Sequence, residues 1–116
     1  MKRQQAEKRG RRGEAIAAWW LRLHGWRIVG ERVKTPRGEV DLVVRRGKAL
    51  AFVEVKARAT AEQLDHSIDA YRLRRVIAAA EALVARYGKG AEEIRVDVIL
   101  VAPWTMPRHL VNVGQI

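Results

Sequence analysis

The clearest helical pattern in the chain lies between residues 70 and 90. Apolar residues recur there with i, i+3, i+4, i+7 spacing, which places them on one face of a helix. That face comprises Leu73, Val76, Ile77, Ala80, Leu83, Val84 and Tyr87. Charged residues such as Arg75 and Glu81 occupy the opposite face, and Gly88 follows as a typical residue just past a helix end. The pattern predicts an amphipathic helix that covers a sheet.

Four other segments have the short apolar runs that are typical of strands. They cover residues 26–35, 39–44, 49–57 and 94–102. The first alternates loosely and is expected to be partly exposed, and the last stops at Pro103. The tight basic turn at residues 45–48 predicts antiparallel pairing of the strands on either side of it.

The N-terminal part of the chain combines a basic segment with an Ala-rich helix. We predict a basic arm over residues 1–12, followed by a helix from about Arg12 to His24 that ends at Gly25. Residues 60–67 have no clear pattern. The element order is therefore α-β-β-β-α-β in a single α/β domain over residues 13–116, which is long enough for one hydrophobic core.

Composition narrows the class of protein. The chain has no cysteine, which excludes disulfides and Cys-zinc sites. No apolar run approaches the ~18 residues of a membrane span, and no signal-peptide core follows the charged N-terminus. We expect a soluble, cytoplasmic protein that does not associate with a membrane.

Charge points to the partner. There are 23 Lys and Arg residues against 13 Asp and Glu residues, a net charge of +10. Such an excess is typical of nucleic-acid binding, because cations that neutralise phosphates release counterions. A basic surface that serves only solubility is the alternative. A second basic cluster lies around the central strands: Arg32, Lys34, Arg37, Arg45, Arg46 and Lys48.

Three charged residues stand inside strands where apolar residues are expected. Asp41 lies in the second strand, and Glu54 and Lys56 lie on one face of the third. Buried charges are usually paired or bind a metal. Two carboxylates with the Val55 carbonyl suit Mg²⁺, and Lys56 would orient water or offset phosphate charge in phosphodiester cleavage. The alternative is a structural salt bridge between Lys56 and one of the acids.

The same residues carry a family resemblance. Asp41 followed by Glu54-Val55-Lys56 resembles the PD-(D/E)XK nuclease superfamily, with Val40-Asp41 in place of the nominal Pro-Asp. The chain is more closely similar to the small YraN-type family of predicted endonucleases, from about Gly10 to His109. The segments that carry this similarity are Arg12-Gly13-Glu14-Ala15, Gly38-Glu39-Val40-Asp41-Leu42 and Phe52-Val53-Glu54-Val55-Lys56-Ala57-Arg58.

The resemblance implies a restriction-endonuclease-like αβββαβ core, a mixed sheet flanked by helices. It also implies Mg²⁺, replaceable by Mn²⁺, and DNA as the partner. A further similarity to archaeal Holliday-junction resolvases implies that Glu14 joins the metal site and that the DNA is branched or structured. Ala57 stands where relatives often have Thr, and Arg72 where they usually have Lys, which affects outer contacts only.

We also make predictions for individual arginine, acidic, histidine and tryptophan residues. We predict phosphate contacts from Arg11, Arg12, Arg37, Arg58 and Arg72. Glu39 is expected to face away from Asp41, and Asp97 to pair with a basic neighbour. The three histidines, His24, His66 and His109, are expected at the surface. Trp104 is expected to pack against the protein in preference to stacking on a base.

Three functions fit this sequence to different degrees. A metal-dependent DNA endonuclease accounts for the strand acids, and a binding module that keeps the fold without catalysis is the main alternative. A basic protein with a ribosomal or protein partner would explain the charge alone. A homodimer is also expected, because cutting both strands of a duplex needs two active sites and this domain carries one. The adjacent Trp19 and Trp20 point about 100° apart on the first helix, so the core can hardly bury both. One of them would cover a partner or a nucleic-acid surface, and the alternative is that it packs under the N-terminal arm.

Overall fold

The computed structural model of the protein describes residues 2–58 and 70–115. The segment 60–67, for which the sequence has no clear pattern, lies outside them, and the prediction for His66 therefore also lies outside the described residues. Seven elements follow one another along the chain: α1 (Lys2–Leu23), β1 (Arg27–Thr35), β2 (Gly38–Arg46), β3 (Ala49–Ala57), α2 (Ala70–Tyr87), β4 (Glu93–Val101) and β5 (Arg108–Gln115). The predicted α-β-β-β-α-β order is confirmed, with β5 added at its end.

The strands form one sheet in the order β1-β2-β3-β4-β5. Pairs β1–β2, β2–β3 and β4–β5 are antiparallel, as the tight turn predicted for β2–β3. Strands β3 and β4 are parallel, with Lys56 opposite Leu100 and Ala57 opposite Val101. A parallel pair needs a long crossover, and α2 lies within it. The sheet is therefore mixed, and the predicted α/β class is confirmed.

A helix covers each face of the sheet. On one face, Ala17, Ala18 and Leu21 of α1 pack with a cluster that includes Trp26 and Val53. The opposite face holds Val76, Ala79, Ala80 and Leu83 of α2, packed with a cluster that includes Phe52. Successive side chains of β3 point alternately toward α1 and toward α2. Glu54 and Lys56 share the face of Phe52, so they lie on the α2 side.

Two elements differ from their predicted extents. Helix α1 begins at Lys2 instead of near Arg12, so the basic segment is helical. Lys, Arg, Gln, Ala and Glu are all good helix formers, and a charge run does not interrupt a helix. Strand β5 was not predicted at all. Neither described helix combines the length and apolar character that a bilayer crossing requires.

Candidate functional site

The site begins where the pairing of β2 and β3 ends. Their described register runs as far as Leu42 opposite Val53. At the next position Asp41 occupies the space between the strands, and its Oδ2 accepts a hydrogen bond from the Val55 main-chain N–H at 2.8 Å. The Asp41 side chain therefore accepts a hydrogen bond from a main-chain N–H that would be available to pair with β2 if the strand pairing continued. This bond fixes the carboxylate beside Glu54.

The Asp41 carboxylate is in an environment that disfavours its charge. Burial is the largest cause and the neighbouring Glu54 carboxylate is the second, and together they raise the pKa of Asp41 to about 7. The Val55 N–H acts in the opposite direction, and Glu14 and Glu39 add smaller repulsions. Such a cluster of acids is more stable with a cation among them.

Lys56 is the buried cation of the site. Its side chain is 4% exposed, and its Nζ lies 3.0 Å from Glu54 Oε1. Apart from this ion pair, Nζ has no hydrogen-bond partner among residues 2–58 and 70–115. Burial lowers the pKa of Lys56, although the Glu54 charge opposes that change. The same oxygen of Glu54 also lies 3.7 Å from Arg72 Nη2 of α2.

Glu14 lies near Asp41 because α1 approaches β3 closely. A Cβ built on Gly13 would lie 2.7 Å from the Ala57 Cβ, so only glycine permits this approach. The Glu14 carboxylate is paired with Arg32 of β1, with Oε2 at 2.6 Å from Nη2 and 2.8 Å from Nε. Arg32 has a φ of +48° and lies across from Asp41 in the β1–β2 pair. Sequence patterns missed this partner of Glu14.

Asp41 lines two clefts, one on each face of the sheet. The α2-side cleft has a volume of about 270 Å³ and is lined by Gly38, Glu39, Asp41, Glu54, Arg72 and Arg75. The α1-side cleft has a volume of about 440 Å³ and includes Arg11, Glu14, Arg22, Arg32 and Asp41 in its lining. Glu39 therefore shares a cleft with Asp41, and the expectation that it faces away was wrong. Residues two apart in a strand share a face.

The predicted phosphate contacts are distributed unevenly. Arg11 and Arg72 line the two clefts, one on each side of Asp41. Arg12 is exposed on α1, and Arg37 is exposed in the β1–β2 turn. Arg58 is partly buried and donates from Nη1 to the Ala57 carbonyl at 3.0 Å. The sequence analysis did not predict Arg22, Arg32 or Arg75 as phosphate contacts, because it could not show which exposed arginines face a cleft.

The donor set suits a hard cation that keeps much of its water. Among the residues that the structure describes, no group of three or more His, Cys, Asp or Glu side chains is arranged to hold a metal ion. Asp41 and Glu54 supply two carboxylates in one cleft, and Mg²⁺ is commonly held by one or two. The raised pKa of Asp41 marks negative charge that its surroundings leave poorly compensated. Mg²⁺ fits these residues; a closed zinc site does not.

A second buried cluster lies on the α1 face of the sheet. Asp97 of β4 is fully buried and accepts hydrogen bonds from Arg95 Nε at 3.1 Å, His109 Nε2 at 2.7 Å and the Asn112 main-chain N–H at 2.8 Å. The predicted pairing of Asp97 with a basic neighbour is confirmed. The surface prediction holds for His24 but was wrong for His109, whose side chain is 17% exposed.

The tryptophans also divide. Trp26 is buried in the core and Trp20 packs against it, whereas Trp19 is 56% exposed, so α1 does not bury both adjacent indoles. Trp104 was expected to pack against the protein. It is instead fully exposed in the loop between β4 and β5, which makes that prediction wrong.

Comparison with known proteins identifies the family. A family model described as "Uncharacterised protein family UPF0102" matches residues 13–101. A UPF0102 protein of Rhizorhabdus wittichii is 68% identical over 112 residues, which cover 97% of this chain and 95% of the relative. One from Sphingopyxis alaskensis is 62% identical over 115 residues, 99% of each chain. One from Paramagnetospirillum magneticum is 45% identical over 118 residues, covering 97% of this chain and 92% of the relative. The match extends over the acidic site, and the chain belongs to the UPF0102 family.

Proposed function

We propose that this protein is a metal-dependent endonuclease that hydrolyses phosphodiester bonds in DNA. One observation carries the proposal: Asp41 and Glu54 place two carboxylates in one cleft beside the buried ammonium of Lys56. A structural ion pair would need one acid and one base. Here a second acid is added at an energetic cost, which is visible in the raised pKa of Asp41. Costs of this kind are concentrated at functional sites.

The arginines around the acids favour a polyanionic substrate. Arg11, Arg22 and Arg32 line the α1-side cleft, while Arg72 and Arg75 line the α2-side cleft. Asp41 lies between these two groups at the β1–β2 side of the sheet. A DNA strand that crosses this edge would have phosphates on each side of the acids, and cations there would hold it against their repulsion.

Asp41, Glu54 and the Val55 carbonyl would hold Mg²⁺ or Mn²⁺. When bound, the cation would neutralise charge that develops on the phosphate and would acidify a coordinated water. Glu14 would reach such a site only by exchanging its ion pair with Arg32. The released Arg32 would then be available to a phosphate.

The protein's own groups have separate roles in this proposal. The Val55 N–H orients the Asp41 carboxylate. Lys56 is buried and its Nζ is paired with Glu54, and this ammonium has donors left for a phosphate oxygen or for the attacking water. Burial also restricts water around this ammonium, which strengthens its interaction with an anion. Arg72, which lies beside Glu54 in the α2-side cleft, would bind a flanking phosphate.

The test is a cleavage panel with the purified full chain. Single-stranded, linear duplex, flapped and branched DNA are incubated with Mg²⁺, with Mn²⁺ and with EDTA. We expect cleavage that EDTA abolishes and that falls at least about a thousandfold in Asp41→Asn and Glu54→Gln, because each removes a metal ligand. DNA binding should persist in both variants.

The matched control is Glu81→Gln, which removes an exposed acid from the outer face of α2. It should cleave as the unmodified chain does. Activity that survives Asp41→Asn would belong to another site or a contaminant. Tight DNA binding without cleavage of any substrate would overturn the endonuclease and favour the binding module.

A further inference from the structure

Trp104 is the most exposed large apolar residue of the described chain. It lies in the segment 102–107 between β4 and β5, which we name the Trp104 loop. Its relative exposure is 102%, so the indole contacts essentially only solvent. Met106 in the same loop is 67% exposed. Indoles bury large areas when they find a partner, and a solvent-exposed one at a loop tip is typical of an interaction site.

The loop conformation holds the indole outward. Trp104 has a φ of +63°, a backbone conformation that bulky residues rarely adopt. Thr105 Oγ1 donates to the Ala102 carbonyl at 3.1 Å and closes the turn. Pro103 and Pro107 flank the turn and restrict its backbone further. An unfavourable backbone angle that is kept in place by its surroundings is a recurring property of functional loops.

The Trp104 loop leaves the sheet at the end that carries the acidic site. Because β3 and β4 are parallel and Lys56 is opposite Leu100, both strands end on the same side. The Arg58 main-chain N–H donates to the Val101 carbonyl at 2.9 Å and extends this pairing past the end of β3. Trp104 follows three residues after Val101.

The charges around the loop favour an anionic partner with planar apolar groups. Residues 102–108 contain no acid and end with Arg108, while Arg58 lies beside Val101 at the start of the loop. A partner that combines negative charge with flat apolar surfaces is a nucleic acid whose bases are accessible. Such bases stack on aromatic side chains in single-strand binding proteins.

We propose that Trp104 stacks on an unpaired DNA base next to the cleavage site, an inference that rests on the proposed function. In a continuous duplex both faces of each base are covered by neighbouring base pairs. The indole therefore selects DNA with unpaired bases near the acids, as in single strands, flaps and branch points. Trp104 acts on substrate choice, and the acids act on the reaction.

The test measures binding separately from cleavage. Fluorescence anisotropy is recorded with labelled single-stranded oligothymidine, a flapped substrate and a blunt duplex, using Asp41→Asn protein so that no DNA is cut. We expect Trp104→Ala to weaken single-strand and flap binding about tenfold or more, the effect of losing one base–aromatic stack. Duplex affinity should change by less than about twofold, and Trp104→Phe should retain most of the affinity.

The matched control is Trp19→Ala, which also removes an exposed indole. Trp19 lies on α1, further along the helix than Gly13, the residue at which α1 contacts the end of β3. It should leave all three affinities unchanged. Quenching of tryptophan emission by oligothymidine should be smaller in Trp104→Phe than in the unmodified chain. An unchanged melting temperature in Trp104→Ala shows that the fold is intact.

The inference would be overturned, with the proposed endonuclease intact, by an equal loss of affinity for all three DNAs or by no loss for any of them. A Trp104→Ala protein with an altered oligomeric state would assign the loop to self-association and also overturn it. Failure of the proposed function would be seen in a separate experiment, in which the unmodified chain cleaves none of the DNA substrates.

Discussion

Two aspartates are embedded in the same sheet, Asp41 on β2 and Asp97 on β4, and they differ in how their charge is balanced. Asp97 accepts hydrogen bonds from Arg95, His109 and the Asn112 N–H, so its buried carboxylate has donors on both oxygens. Asp41 accepts one from the Val55 N–H and faces a second acid, Glu54.

This difference separates the structural burial of charge at Asp97 from the functional burial that we propose at Asp41. A carboxylate with a full set of donors stabilises the local chain, and removal of either partner leaves an uncompensated group behind. A carboxylate next to another carboxylate weakens the fold, and groups perturbed in this way are concentrated at functional sites, which supports the role proposed for Asp41. We therefore expect opposite responses from the two positions when each charge is removed.

The largest effect should come from Asp97. Asp97→Ala leaves the largely buried Arg95 with only its exposed partner Glu93, and it leaves the Asn112 N–H without its acceptor. Removing one member of a buried pair costs about 3–5 kcal/mol. For a chain of this size that lowers the melting temperature by roughly 10–20 °C, measured by circular dichroism.

The control for that experiment is Glu93→Gln. Glu93 is the other acidic partner of Arg95, but its side chain is 57% exposed. We expect a change below about 1 kcal/mol, as for other exposed ion pairs. If Asp97→Ala were no more destabilising than Glu93→Gln, the buried cluster would not support the fold.

The second effect is a pH dependence of stability caused by Asp41, and removal of this charge should stabilise the fold where removal of the Asp97 charge destabilises it. A folded-state pKa of about 7 means that Asp41 is still protonated in the folded chain where the unfolded chain has lost the proton. The free energy of unfolding should therefore fall as pH rises from about 4 to about 7. At about 1.4 kcal/mol per pKa unit, the loss is at most about 4 kcal/mol, and partial exposure of Asp41 reduces it.

Asp41→Asn should remove this part of the pH dependence and stabilise the chain at pH 8, as measured by urea unfolding at several pH values. Glu54→Gln should remove part of it, because only the repulsion from Glu54 is lost while burial remains. Identical pH profiles for Asp41→Asn and the unmodified chain would contradict the unbalanced charge at Asp41.

The smallest effect should come from the cation. If Mg²⁺ binds at Asp41 and Glu54, a concentration ten times its dissociation constant stabilises the folded chain by about 1.4 kcal/mol. A thermal shift at pH 8 should detect this, and it should shrink at pH 5, where protonated Asp41 competes with the metal.

The comparison of the two aspartates supplies the controls. Asp41→Asn should lose the Mg²⁺ shift, whereas Asp97→Asn should keep it despite a lower starting temperature. A shift that persists in Asp41→Asn would place the cation at a different set of ligands.

The sequence contained enough information for most of the fold. The apolar residues of α2, such as Val76 and Leu83, recur with clear helical spacing, so the sequence predicted both the helix and the face that it buries. Strand β5 was missed because Asn112, at a φ of +55°, breaks its alternation. Its register against β4 shifts between Val96 and Val98, and no local pattern predicts an irregularity that depends on a partner strand.

The candidate site divides in the same way. Asp41, Glu54 and Lys56 were found because charge inside an apolar strand is visible in the sequence. The Arg32–Glu14 pair was not, since it joins β1 to α1 through a residue with positive φ. The partner of His109 was missed for a related reason, because β4 and β5 are brought together only by a bulged pairing.

The irregular outer strands also limit how this molecule can associate with itself. Strands β1 and β5 form the two edges of the sheet. The β1 edge carries a register shift between Ile28 and Gly30 and exposed charges at Arg27 and Lys34. The β5 edge is bulged around Asn112. Bulges and edge charges both oppose the addition of another strand. A symmetric pair of these chains would therefore have to be joined through helical or loop surfaces, and neither edge is a ready template for aggregation.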